Sequence, residues 1–447
     1  DMLWVGTQGG GLNRWNPLDW SFGHYKGGLA GLSNDEVFSF TQSENGLVYV
    51  GTLGGGLAII DREKGQTRVL RHDPLDEFSL SDNRVTALLH DSQQVLWVGT
   101  IAGGLNRQIP GTERFEHFRA EENNPESLPS NGIMTLFEDR HGVIWAGTFG
   151  GGLSRFDRES GTFSNYQHEV GNPFSLSGNQ VSSIVEDPSG GLWIGTLGKG
   201  LNFFDRDTGL FRQFHHDPER QASISSDEIL SLHLDQSGVL FIGTLGGGLN
   251  VLERLGADSK STNFKRYSEH DGLPNDAVYG ILPDKKGGLW MSTNHGLARF
   301  NTSARQFESF NVTDGLQANE FNLGAHYLGP SGEMFFGGVN GFNAFMPDQI
   351  KRNTTVPPLA LTSFLKLNEP ARTEIPLNQI QNLELGYRDY VVSFEFAALD
   401  YRSPENNRYA YKLEGLDEDW IELGNRNEIT FTNLSPGAYN LRVRGSN

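Results

Sequence analysis

Cysteine is absent from the 447 residues, which rules out disulfides, thiolate metal sites and cysteine nucleophiles. That absence is compatible with an oxidising bacterial periplasm and does not require one. No run approaches the roughly 18 apolar residues that span a bilayer, and no signal peptide heads the chain. Basic side chains are in the minority, 36 against 55 acidic, for a formal charge of −19. A surface that negative repels phosphate backbones and anionic lipid. Nucleic acid is therefore not an expected partner, and membrane contact is expected only through segments outside these residues.

Glycine, by contrast, is abundant at 56 residues, and aromatic residues make up 11%. Many tight turns between short, bulky strands suit that composition better than helices do. A phrase of aromatic, aliphatic, Gly and Thr recurs, as in Trp97-Val98-Gly99-Thr100 and Trp193-Ile194-Gly195-Thr196. Its third position falls at 6, 51, 99, 147, 195, 243, 292 and 337, glycine in all but Ser292, at spacings of 45, 48, 48, 48, 48, 49 and 45. Each unit divides into four strands, here called a to d. In one unit they are 84–90, 96–100, 105–108 and 115–119. Four short antiparallel strands in about 48 residues indicate a β-propeller blade.

The middle of strand a is small in nearly every copy (Ser39, Ala87, Thr135, Ser183, Ser231, Gly280), as convergence on a propeller axis demands. The last unit shows strands a, b and c but no clear d. The segment Phe22 to Tyr25 can supply it, giving seven blades pinned by the N-terminal strand, with an eight-bladed ring as the alternative. On the preferred reading, residues 1–16 are the tail of a preceding propeller, 17–352 the ring and 353–358 a linker. Residues 359–447 form an immunoglobulin-like β-sandwich whose last strand is missing. A chain that opens inside a repeat and stops inside a strand pattern is expected to be a fragment.

The units resemble the two-component regulator propeller repeat, in which strand b reads LWxGT and GGL follows. Asp139 to Leu153 matches throughout, and the interblade phrase His72-Asp73-Pro74 with Ser79-Leu80-Ser81 fits as well. Residues 359–447 resemble the Y_Y_Y domain that follows such propellers, through Tyr409, Tyr411, Gly415, Trp420 and Leu434-Ser435-Pro436-Gly437 with Tyr439. Phe431 stands where that family usually has tyrosine. The resemblance implies the periplasmic sensor of a membrane-bound signalling protein. A transmembrane helix would follow, then a histidine kinase or diguanylate cyclase output, and the full-length protein would be a homodimer.

Several residues that look chemical are periodic. His72, His168, His216 and His270 fall at nearly one repeat position, which scatters them around a ring and does not converge them on a metal. Asp91, Asp139, Asp187, Asp235 and Asp284 are expected to hold a–b turns. The glycine-rich b–c turns lead into strands and not helices, so they are hairpins and not phosphate loops. No catalytic set stands out, and no cofactor or metal is expected.

Binding is better sought where the repeats differ, in the b–c turns around the channel mouth. There Phe149 offers an aromatic face for a sugar ring, while Lys199, Asn294, His295 and Asn340 offer polar contacts. The bland alternative is that these five only pack or solvate their turns. The leading expectation is a non-catalytic sensor for a small extracellular ligand, with oligosaccharide the foremost class. A propeller enzyme (lyase or glycosidase) and a protein-interaction scaffold are the alternatives.

Overall fold

A computed structural model describes residues 3–7, 11–15, 21–27, 31–256, 258–350, 357–371, 376–380, 382–399 and 407–446. The chain divides into two compact units, Asp19–Ile350 and a second that takes in Asp1–Leu18 and Lys351–Asn447.

The larger unit is a seven-bladed propeller. Blade 1 runs from Val37–Gln42 to Gln66–Leu70, blade 2 from Val85–His90 to Phe115–Phe118, and blade 3 from Ile133–Glu138 to Phe163–Tyr166. Blade 4 runs from Val181–Glu186 to Leu210–Phe214, blade 5 from Ile229–Leu234 to Asn263–Tyr267, and blade 6 from Val278–Pro283 to Gln306–Phe310. Blade 7 takes strands a, b and c from Phe321–Leu328, Met334–Gly338 and Gly341–Phe345. Its strand d is His24–Tyr25, paired antiparallel through His24 with Asn343 and Tyr25 with Phe342. Strands a touch in sequence around the ring, and that of blade 7 meets that of blade 1. The seven-bladed expectation holds, closed by the N-terminal strand.

Successive side chains of a strand point to opposite faces, and strand b is apolar on both, as in Leu96-Trp97-Val98, so each blade has two greasy faces and no internal core in which to hide them. The hydrophobic clusters accordingly lie between blades. Trp97 of blade 2 packs with Ile133, Ile144 and Phe156 of blade 3. Trp193 of blade 4 packs with Ile229, Leu240 and Ile242 of blade 5. Complete burial of such a side chain contributes about 1.5–3 kcal/mol, realised only when the neighbouring blade is present. At the closing seam Phe22, 2% exposed, sits among Trp290, Phe310 and Phe345.

The glycine of the Gly-Thr pair has a steric origin. Registered pairing sets it opposite the small residue of strand a: Ala87 with Gly99, Thr135 with Gly147, Ser183 with Gly195. A Cβ on Gly147 would come 2.6 Å from Thr135 Cγ2 and 2.7 Å from Val181 Cγ1 of blade 4. In blade 6 the types exchange, with Gly280 opposite Ser292.

The second unit contains two antiparallel sheets. Leu359–Lys366 pairs with Val391–Ala398 and with Glu369–Pro370, and Val391–Ala398 also pairs with Glu428–Thr432. Arg408–Glu414 pairs with Ile421–Gly424 on one side and Asn440–Ser446 on the other. Ile421–Gly424 is a strand that the sequence pattern did not indicate. Phe364, Phe396, Tyr409, Leu413 and Phe431 build the shared interior, so Phe431 fills its position as a buried ring. Leu3–Thr7 pairs with Gly11–Trp15. The residues of the expected 353–358 linker other than Pro357 and Pro358 lie outside the described residues.

Candidate binding face at the channel mouth

The b–c turns are tied to the ends of the loops that enter strand a. Within a blade, the residue after Gly-Thr donates to the entry backbone: Leu53 to Glu36 (2.9 Å), Phe149 to Gly132 (2.7 Å), Leu245 to Glu228 (2.9 Å). Between blades, the last turn glycine donates to the entry loop of the next blade. Gly104 donates to Asn131, Gly152 to Asn179, Gly200 to Asp227, and Gly341 to Asp35, which carries the pattern across the closing seam. In blades 1 to 6 the threonine hydroxyl at the end of strand b braces the turn, as Thr148 Oγ1 does by donating to the Gly152 carbonyl at 2.8 Å; blade 7 has Gly338 there. Gly152 itself has φ +83°, and a Cβ there would run into the Tyr166 carbonyl, so no other residue serves. The face is thereby fixed before anything binds.

On this face the five expected residues separate into two groups. Phe149 on blade 3 is 50% exposed. Its Cβ lies over Gly132, where a Cβ would approach to 2.9 Å, at a position that is Glu36, Arg84, Gln180 or Glu228 in other blades. Lys199 on blade 4 is exposed and runs its stem across Gly178, whose absent Cβ would lie 2.7 Å from Lys199 Cβ. Asn294 and His295 on blade 6 are exposed, and the His295 N–H donates to Thr293 Oγ1.

Asn340 on blade 7 is more committed. Its amide Nδ2 donates to the Gln317 carbonyl, its N–H donates to Gln317 Oε1, and its carbonyl meets His24 Nε2, each at 2.8 Å. Blade 5, with Leu245 43% exposed, stands between the two groups. Among the described residues, no hydrogen bond joins any of the five to another.

The periodic residues do structural work, with one exception. His72, His168 and His216 each place Nδ1 on a loop carbonyl, of Leu80, Leu176 and Ile224, at 2.7–2.9 Å. His270 is one residue out of step. It lies in a 3-10 turn, Glu269–Asp271, where Glu269 takes the equivalent backbone bond, to Asp276. Asp91 and Asp139 accept from two turn N–H groups and from the indoles of Trp97 and Trp145. Burial pushes the Asp139 carboxyl up. The Trp145 and turn N–H donors, with the Arg206 guanidinium, outweigh that and hold it below the usual carboxylate range.

Two further anchors went unread although the sequence carries their signal. Buried Asn106, Asn202, Asn250 and Asn343 on strand c accept from the loop N–H of Ser81, Ser177, Ser225 and Gln317. Asn83, Asn131, Asn179 and Asp227, two residues before strand a, accept from the end of the preceding strand d. Both sets recur at the repeat spacing.

Residues 79–102, 127–150, 175–198 and 272–295 match the two component regulator propeller family, and residues 400–447 match the Y_Y_Y domain. The extracellular domain of the putative hybrid two component system BT3049 from B. thetaiotaomicron superposes with a TM-score of 0.82 at 27% identity, over 99% of this chain and 57% of that one. The corresponding domain of BT4673 from the same organism gives 0.56 at 23% identity, over 97% and 58%, a likeness of fold. Histidine kinase P4 of Formosa agariphila is 30% identical over 190 residues, 40% of this chain and 14% of that protein. The chain therefore spans a small part of the kinase and little more than half of the BT3049 domain. None of the described helices is long and apolar enough to cross a membrane.

Proposed function

We propose that this chain, which carries two component regulator propeller repeats ahead of a Y_Y_Y domain, is the periplasmic ligand-sensing region of a membrane-bound bacterial signalling protein. The match to the BT3049 extracellular domain over 99% of the chain carries the reading, because it spans both modules at a TM-score of 0.82. In this reading the region performs no chemistry. A small extracellular ligand, with oligosaccharide the foremost class, binds at the channel-mouth face. It biases the region between two arrangements that bind it unequally, and the output is a cytoplasmic histidine kinase or diguanylate cyclase within a dimer. Phe149 supplies the stacking surface, and Lys199, Asn294 and His295 the polar contacts. Asn340 shapes the turn beside them through Gln317.

Thermal-shift screening against a panel of soluble glycans tests this directly. A glycan that raises the melting temperature of the parent but not of Phe149→Ala or His295→Ala supports it. A panel with no shift, together with tight binding to a protein partner, removes the small-ligand reading. Turnover of a glycan that is lost in His295→Ala removes the non-catalytic one.

A further inference from the structure

One residue of blade 7 departs from the pattern of the other six. Pairing sets His326 on strand a opposite Phe336, the place that holds Phe40, Leu88, Leu136, Ile184, Leu232 and Ile281 elsewhere. Its imidazole rests on strand a of blade 6. A Cβ on Gly280 would lie 2.5 Å from His326 Cγ and 2.6 Å from Nδ1. Gly280 is the one glycine in the column that is otherwise Ser39, Ala87, Thr135, Ser183, Ser231 and Ala325, so blade 6 has given up a side chain where the ring sits.

A second imidazole lies nearby. His233 is on strand a of blade 5, and the strands a of blades 5 and 7 approach one another across blade 6. His326 Nδ1, His233 Nε2 and the Ser292 hydroxyl are all closed off from solvent without a hydrogen-bond partner. Buried polar atoms are rarely left in that state.

We propose that His233 and His326 form a proton-operated seam, in which protonation drives blades 5, 6 and 7 apart and loosens the ring beside its closing strand. Burial first, and the neighbouring His233 second, push His326 down from 6.5 to about 4. Burial also pushes His233 down and outweighs the opposing pull of Asp235. Tyr279 is the one titratable side chain on strand a of blade 6, and Asp284 just beyond that strand is held by Arg299.

Because the folded value lies below the unfolded one, the unfolded chain binds more protons between them. Stability is complete above about pH 6.5 and falls as the pH drops toward 4. For His326 alone the folding constant falls about 300-fold over the full range, and about 80-fold by pH 4.5.

The test is the melting temperature of the 447-residue chain from pH 7.5 to 4.5, with hydrogen exchange followed on strands a. Two variants accompany the parent: His326→Phe, which restores the blade 1 residue, and His326→Gln, which keeps a polar side chain without a titration. Burial also lowers His90 and His117, so the readout is the difference between parent and variant. The parent is expected to lose more stability on acidification than either variant, with exchange rising first in blades 5 to 7. Parallel acid slopes in the parent and whichever variant folds, or exchange that rises evenly around the ring, would overturn the proposal.

Discussion

In blade 3 the strand-b glycine Gly147 faces Thr135, and in blade 6 the same pair is reversed, with Gly280 facing Ser292. One Cβ fits in the gap between strand a, strand b and the next blade, and two do not. The constraint therefore belongs to the pair and not to either position, which is why Trp290-Met291-Ser292-Thr293 reads as a weak copy of the repeat yet builds a sound blade. The exchange has a second effect, because the space over Gly280 is then open to His326. Blade 7 differs in a further way, since its strand d arrives from the other end of the chain. Blades 6 and 7 are thus where the repeat rule is bent, and blades 2 to 4 are where it is kept.

The largest effect is expected at the non-covalent closure. Phe22 makes edge contacts with Trp290 (6.3 Å between centroids), Phe310 (5.3 Å) and Phe345 (4.8 Å). Phe22→Ala should cost about 3–5 kcal/mol, read as a fall in the urea midpoint. A similar loss from Phe156→Ala, inside blade 3, would mean that closure is no weaker point than any other seam. A loss confined to Phe22→Ala would mark blade 7 as the place where the ring opens.

Next come the turn aspartates. Asp139 accepts from Trp145 and, at 2.6 Å, from Arg206 of blade 4, with its side chain wholly buried. Asp284 gives the same oxygen to Arg299 of its own blade, and the Trp290 indole N–H is left without a partner. Asp139→Ala should cost about 1–3 kcal/mol, because it leaves the buried Trp145 indole without an acceptor and removes one of the two carboxylates on Arg206, which keeps Glu186. Asp284→Ala should cost less, since no neighbouring blade loses a contact. Both carboxyls lie below the usual value of 3.8 in the fold. Their stabilisation is present above that pH and lost below it, a window more acidic than the one expected for His326.

The exchange itself can be tested by undoing it. Gly147→Ala should cost about 1–3 kcal/mol by overpacking. Ser292→Gly and Ser292→Ala should each change stability by less than about 1 kcal/mol, since the hydroxyl they remove has no partner. Equal costs at 147 and 292 would show that the gap in blade 6 is as tight as that in blade 3, and the pairwise account would fail.

How far the sequence discloses this molecule follows from the same contrast. A residue that recurs at the repeat spacing meets the same neighbours each time. The roles of Asp91 and Asp139 and of His72 and His168 could therefore be inferred from position alone, and Asn106 and Asn202 could have been. His326 could not. It follows an irregular stretch in which strand a of blade 7 pairs at Phe321 and not again until His326, so counting along the repeat does not align it with Leu232. The partner that makes room for it, Gly280, is read in sequence merely as one more small residue. The channel-mouth residues sit between these cases. Their place on the b–c turns follows from the repeat, but Asn340 aligns with His295 in a sequence comparison and differs from it in the fold, where Gln317 engages its side-chain amide and its backbone N–H.

The smallest effect on stability, and the most informative about binding, is expected on that face. Phe149 is half exposed, so Phe149→Ala forfeits only the contact over Gly132 and should cost less than about 1 kcal/mol. Leu245→Ala on blade 5, at 43% exposed, should cost about as little. The two are therefore matched in stability and differ in chemistry, because only the aromatic ring offers a flat face to a pyranose. If the face binds a sugar by stacking, Phe149→Ala should weaken it about tenfold or more by calorimetry, a loss of roughly 1.4 kcal/mol, while Leu245→Ala changes it little. Equal weakening by both would point to a ligand held by apolar contact around the whole mouth. No weakening by either would move the site off this face and return Phe149 to the bland reading, a side chain that fills the gap left by Gly132.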